Sequence, residues 1–110
     1  MQIIEIELND GKTYKLGYPT RKDAKYAESK GLDITNAGKA VSFYDTLYYT
    51  GFLANHPSMS EYEAQKIIER YSEEGGDLEE IQKFLIEQYS NFIKSPANSQ
   101  VRKTAKIINM

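Results

Sequence analysis

AVSFYDTLYYTGFLAN, residues 40–55, is the stretch around which the rest of the chain must pack. At about 100° per residue, a helix of this sequence spreads its apolar side chains over roughly half of the circumference. These side chains are Phe43, Ala54, Leu47, Ala40, Tyr44, Tyr48, Val41 and Phe52. A surface helix has a narrower apolar stripe, so neighbouring elements or a partner must cover this one. Tyr49 and Leu53 fall outside even this wide arc.

Composition places the chain among ordinary globular domains. Its 110 residues suit one domain, and 40% apolar with 27% charged residues argues against wholesale disorder. A net charge of -2 gives no reason to expect nucleic acid, and the lack of cysteine excludes disulfides and thiol chemistry. Residues 1–11 lack the basic leader of a secretory signal, and residues 40–55 are too short to span a bilayer. We expect a soluble, cytoplasmic protein with no membrane partner.

Two alternating segments predict an N-terminal β-hairpin over residues 2–18. A two-residue turn would place their apolar sets on opposite faces of the hairpin. A three-residue loop of Asn9, Asp10 and Gly11, with Gly11 in the left-handed conformation, instead pairs Ile6 with Tyr14. We therefore predict the three-residue loop, with Ile4 paired to Leu16 in the same register. A lone hairpin is marginal in water, so its apolar face must pack on helices.

Four helices follow the hairpin, over about residues 20–30, 39–55, 60–73 and 77–94. Their starts are predicted by N-cap residues: Thr20 with Asp23, Ser60 with Glu63, and Asp77 with Glu80. Residues 32–38 are typical of a loop. The fold class is therefore α+β, with a β-hairpin followed by a small, mainly α-helical bundle of about four helices in a single domain, residues 1–94. Residues 95–110 are predicted to form a flexible, basic C-terminal tail.

The sequence offers little for catalysis. His56 is its one histidine, and no serine lies in a G-x-S-x-G elbow. Gly75 and Gly76 precede a helix, but the acids that follow them would repel phosphate. The acidic residues 73–80 lack the ligand spacing of a calcium loop. We expect no enzymatic activity, no cofactor and no metal site.

Tyrosine-rich and apolar surface is the more informative feature. Tyrosine combines a large contact area with a polar tip, which suits both the margin of a core and a protein interface. On this ground we predict that a partner-binding surface includes Tyr49, Phe52 and Leu53 on the central helix, with Phe92 and Ile93 at the end of the last helix. The same residues are candidates for self-association.

Four motifs, taken in order, resemble a known family. They are I-x-I-x-L-N-D-G-K-x-Y-x-L at residues 4–16, LYYTGFLANHP at 47–57, S-x-x-E-A-x-x-I-I at 60–68 and GGDL at 75–78. This order, over residues 4–93, resembles the tail assembly chaperones of long-tailed bacteriophages, the siphophages or prophages of Gram-positive bacteria. The resemblance implies a non-catalytic protein of the host cytoplasm, absent from the mature virion. It also implies binding to the tape measure protein and promotion of tail tube protein polymerisation.

Two other function classes remain open. Residues 61–88 hold nine acidic against three basic residues, a pattern that also suits a small acidic helical regulatory or inhibitor module of phage or mobile-element origin. Such a module would bind a basic surface, and its affinity would fall steeply with salt. A small enzyme would have to use His56.

Overall fold

The computed structural model describes residues 2–94, and its elements follow the predicted order. They are β1 (Ile4–Glu7), β2 (Thr13–Leu16), α1 (Arg21–Ser29), α2 (Val41–Leu53), α3 (Glu61–Glu73) and α4 (Leu78–Ile93). A two-stranded antiparallel hairpin followed by four helices confirms the α+β fold. The predicted tail, residues 95–110, lies outside the described residues. Within residues 2–94, no helix has both the length and the apolar character needed to cross a bilayer.

The hairpin has the predicted register. Ile6 lies opposite Tyr14 and Ile4 opposite Leu16. Across the three-residue loop, the Leu8 amide donates to the Lys12 carbonyl at 2.9 Å, and Gly11 adopts φ +88°. An L side chain at that φ would be strained, so the loop requires a glycine there.

α2 lies at the centre of the fold, where it packs against β2 and against all three other helices. Its buried side is made of Phe43, Leu47, Tyr48, Thr50, Gly51 and Phe52. Gly51 lets neighbouring elements approach closely, because a β-carbon at this position would lie 3.2 Å from the Leu85 side chain. The Gly51 carbonyl accepts a hydrogen bond from the Gly17 amide. Val41, in the first turn of the helix, also belongs to the predicted apolar arc, but its side chain is 79% exposed. Within residues 2–94, no neighbouring element covers it.

Side-chain caps begin α1, α3 and α4 at the predicted residues. Thr20 with Asp23, and Ser60 with Glu63, each form a complete capping box. The Asp77 carboxylate accepts the Glu80 amide at the start of α4. These bonds satisfy backbone donors that have no partner inside the helix. α2 lacks a side-chain cap.

Two details of the segment between the hairpin and α2 differ from the sequence interpretation. Residues 32–38 are not wholly a loop, because Ile34–Asn36 form a 3-10 helix capped by the Asp33 carboxylate. In α1, Tyr26 is 46% exposed, although it is one of the three apolar residues of that helix. α1 therefore attaches to the core through its two alanines, Ala24 and Ala27.

Tyr18 joins the hairpin to the helices. Its hydroxyl donates to the Leu47 carbonyl at 2.9 Å and lies 2.8 Å from the Thr50 hydroxyl. Its backbone amide donates to the Gln88 side chain, and its ring packs edge-on to Tyr89 with centroids 6.1 Å apart. Burial raises the pKa of the Tyr18 hydroxyl far above its ordinary range, so the group stays protonated.

Removing the Tyr18 hydroxyl should destabilise the fold. In Tyr18→Phe the Leu47 carbonyl loses its 2.9 Å bond and keeps only the longer contact with the Thr50 hydroxyl at 3.4 Å. We therefore expect a loss of about 1–3 kcal/mol in the free energy of unfolding. Urea denaturation measures it. Tyr26→Phe is the matched control, since that side chain is exposed. Equal midpoints for the two variants would show that the Tyr18 hydroxyl contributes nothing.

Candidate partner-binding surface

Tyr49 and Leu53 lie side by side on the face of α2 that points away from the hairpin. Both are partly buried, and Tyr49 packs against the edge of the core. On a helix at 100° per residue, they share this face with Ser42, Asp45 and Thr46, none of which is fully buried. We call the pair the α2 ridge. It presents apolar and aromatic surface next to solvent in the middle of the domain.

A groove flanks the ridge on each side. The groove toward α1 has a volume of about 210 Å³ and is lined by Lys22, Asp23, Tyr26, Thr50, Leu53, Ala54 and Pro57. The groove toward α3 is also about 210 Å³ and is lined by Asp45, Tyr48, Gln65, Ile68 and Glu69. Both are smaller than the ~300 Å³ at which small-molecule pockets usually begin. They suit single side chains of a partner better than a cofactor.

The two grooves differ in charge. On the α1 side, Lys22 and Asp23 contribute one positive and one negative charge. On the α3 side, Asp45 and Glu69 are both acidic. The α2 ridge therefore lies between a flank of mixed charge and an acidic flank.

Phe52 is not part of this surface. Its side chain is 0% exposed and faces the hairpin, where its ring meets Tyr14 edge-on at 6.3 Å. The same ring lies 6.3 Å from His56. The prediction that Phe52 contacts a partner is wrong, because β2 already covers that side of α2.

Phe92 and Ile93 lie in a different place from the α2 ridge. They line a groove of about 280 Å³ between α1 and α4, together with Arg21, Ala24, Lys25, Glu28 and Tyr89. Ile93 is 56% exposed, while Phe92 is partly buried and its carbonyl accepts the Arg21 guanidinium at 3.1 Å. α1 separates this groove from the ridge, so the structure does not bring the five predicted residues into one surface.

Tyr26 is the residue of the ridge region that the sequence interpretation missed. It lines the α1 groove opposite Leu53. A signal was present, because Tyr26 lies 100° or more around the helix from both Ala24 and Ala27. With both alanines buried, that angle directs the tyrosine outward.

His56 has a structural hydrogen bond. Its Nε2 accepts the Lys15 amide at 2.9 Å, on the outer edge of β2, and its ring lies 5.8 Å from the Tyr14 ring. Burial, with a smaller contribution from the positive charge of Lys15, lowers the pKa of His56. An accepting Nε2 requires the neutral imidazole with its proton on Nδ1.

The other strongly perturbed groups are also used in packing. The Tyr48 hydroxyl, whose pKa is raised mainly by burial, accepts from the Gln82 amide at 2.7 Å. The Tyr89 hydroxyl donates to the Glu28 carboxylate. Burial is the main cause that raises the pKa of this hydroxyl, and the hydrogen bond to Glu28 raises it further. Among residues 2–94, no group of three or more His, Asp or Glu side chains is placed to hold a metal ion.

Comparison with known proteins gives one match. A family described as "Domain of unknown function (DUF5055)" matches residues 1–107, nearly the whole chain. No curated protein and no solved structure matches.

Acid should weaken the attachment of His56 to the hairpin. The folded-state pKa lies below the ~6.5 of a free histidine, so this contribution to stability is present above pH ~6.5 and is lost as pH falls through the folded pKa. We expect the unfolding midpoint to fall more between pH ~7.5 and pH ~5.5 for the native protein than for His56→Gln. Parallel pH profiles for the two proteins would contradict the assigned bond.

Proposed function

The chain belongs to the DUF5055 family, and we propose that it acts as a tail assembly chaperone of a long-tailed bacteriophage. In this role it would bind the tape measure protein in the host cytoplasm, promote tail tube polymerisation and be absent from the finished virion. The order of motifs over residues 4–93 supports the proposal, and so does the α2 ridge. Catalysis has no part in it.

The observation that carries the proposal is that the most apolar helix of the fold stays partly open. β2 and α4 cover one side of α2, while Tyr49 and Leu53 remain accessible between two grooves. An amphipathic helix binds such a surface by placing side chains at i, i+3 or i+4, and i+7 into neighbouring depressions. A long helical protein exposes stripes of this kind before its final partners enclose it.

Charge gives the bound helix a direction. A helix lying along the ridge would meet Lys22 and Asp23 on one side and the two acids Asp45 and Glu69 on the other. A partner helix with basic residues along the edge that faces α3 pairs with these acids in one orientation and loses the pairs in the reverse one. Helices that pair in coiled coils commonly have charges beside their apolar stripe.

The modest size of the ridge suits a chaperone. Two partly buried side chains with two small grooves make a contact below the ~1,200 Å² of total buried surface that stable complexes usually reach. Such a contact dissociates readily, and tail tube subunits could displace it. A permanent structural subunit would need a larger apolar surface.

Tyr49→Ala should weaken partner binding without unfolding the domain. We expect affinity for a helical tape measure fragment to fall tenfold or more, about 1.4 kcal/mol, because an aromatic anchor is lost. Calorimetry with the purified fragment measures the affinity, and co-expression tests whether the chain keeps the fragment in solution. Tyr62→Ala is the matched control, since Tyr62 lies on α3 and is 67% exposed.

Leu47→Ala is the reference that distinguishes a loss of binding from a loss of stability. Leu47 is fully buried, so its truncation should cost about 2–5 kcal/mol of unfolding free energy. If Tyr49→Ala destabilises the fold as much as Leu47→Ala does, Tyr49 is a core residue and the ridge is not a binding surface. Unchanged binding in a stably folded Tyr49→Ala would also overturn the proposed site.

An acidic inhibitor is the second candidate, favoured by one observation. Glu61, Glu63, Glu69 and Glu73 are all exposed on α3. A basic partner docked on this helix would be held mainly by charge.

Salt dependence distinguishes the two functions. Binding through the α2 ridge should weaken only moderately between about 0.05 and 0.5 M salt, since salt screens its flanking charges but not its apolar contact, whereas binding through α3 should weaken steeply. A Glu61→Gln/Glu73→Gln double variant, which keeps Glu69 beside the ridge, provides a direct comparison. If it abolishes binding while Tyr49→Ala does not, the inhibitor function is the correct one.

A further inference from the structure

We propose that the outer edge of β1 is a second binding surface, which takes an extended segment of a partner protein as a third strand. The segment that fits carries basic side chains on one face and apolar side chains on the other. This inference stands apart from the chaperone function, because it uses a different element and a different kind of contact.

The two outer edges of the hairpin differ in whether other parts of the fold bond to them. On β2, the outward amide of Lys15 donates to His56 Nε2 at 2.9 Å. Just beyond the strand, the Gly17 amide donates to the Gly51 carbonyl at 3.1 Å. α2 and the turn after it therefore close this edge.

The edge of β1 has no such cover within residues 2–94. The Leu8 amide points toward β2, so the alternation of an antiparallel pair directs the backbone groups of Glu5 and Glu7 away from the hairpin. No described residue accepts from their amides or donates to their carbonyls. Exposed strand edges of this kind are templates for another strand.

Both ends of the open edge are fixed in place. At one end the Asn9 amide donates to the Glu74 carboxylate at 2.7 Å. At the other end the Gln88 side chain donates to the Gln2 carbonyl at 2.7 Å. The edge between them is held in an extended conformation, so an added strand would not have to order it first.

The negative charge of the outer face determines which kind of strand can bind beside β1. Glu5 and Glu7 are both exposed on the outer face of the hairpin, with Lys15 opposite Glu5 but an uncharged Thr13 opposite Glu7. A second copy of β1 would bring four carboxylates together, and like charges on neighbouring strands repel. A strand with lysine or arginine on this face would instead be attracted by the carboxylates of both Glu5 and Glu7.

Apolar surface also lies near one end of the open edge. A groove of about 130 Å³ next to Gln2, two residues before β1, is lined by Gln2, Phe84, Glu87, Gln88 and Asn91. Phe84 is partly buried and supplies the apolar wall, while Glu87 adds a further acid at the rim. Alternation of basic and apolar residues is the pattern that satisfies both faces.

A synthetic octapeptide of alternating valine and lysine tests this surface on the full chain. We expect it to shift the amide resonances of Glu5 and Glu7 and to slow their hydrogen exchange about tenfold at saturation. A peptide of alternating valine and glutamate is the matched control and should have no effect. Tyr49→Ala should leave the response unchanged, so a failure here is distinct from a failure of the α2 ridge.

Two substitutions at Glu5 distinguish the contribution of strand pairing to peptide binding from the contribution of charge. Glu5→Pro removes the outward amide, which makes no bond inside the hairpin, and should abolish peptide binding. Glu5→Gln keeps the amide and loses only the charge, so it should weaken binding without abolishing it. Glu7→Pro repeats the test should Glu5→Pro fail to fold. Equal binding by the proline and glutamine variants, or slow exchange at Glu5 and Glu7 without peptide, would overturn the proposal.

Discussion

Burial of the Tyr18 side chain is the constraint on which the rest of the fold depends. A hydroxyl can be buried only if it is hydrogen-bonded, and this one lies against the Leu47 carbonyl and the Thr50 hydroxyl of α2. Thr50 in turn donates to the Thr46 carbonyl, so the pair is satisfied within one turn of helix. Because Tyr18 directly follows the hairpin, these bonds fix the distance and the rotation of the hairpin relative to the central helix. The ring then supplies the wall against which Tyr89 of α4 packs.

Local patterns predicted most of the fold. The hairpin register followed from side-chain alternation, because a shift of one residue would have turned Ile6 and Tyr14 to opposite faces. The caps at Thr20, Ser60 and Asp77 followed from the short reach between a side chain and an amide three residues later. The 3-10 helix Ile34–Asn36 was missed, since three residues are too few to show a period.

The binding surface could be predicted only in part, for a physical reason. Helical periodicity places Tyr49 and Leu53 off the apolar arc, but it does not say which neighbour covers each side of the arc. Phe52 is covered by the hairpin, whereas Val41 is left exposed by the described residues, although both lie in the same predicted arc. Likewise, the separation of Phe92 and Ile93 from the ridge depends on the position of α1, which long-range packing decides. The excess apolar character of α2 is therefore mostly core.

Gln88 has a consequence for the order in which the chain folds during synthesis. Its side chain bonds the Gln2 carbonyl and the Tyr18 amide, joining α4 to both ends of the hairpin. The hairpin leaves the ribosome long before Gln88 does. While the helices are being translated, the hairpin therefore lacks the hydrogen bonds that Gln88 makes to it. Completion of the domain is therefore a late, all-or-none event in the life of the nascent chain. Until then, Tyr18 and the apolar face of the hairpin are open to whatever protein meets them first.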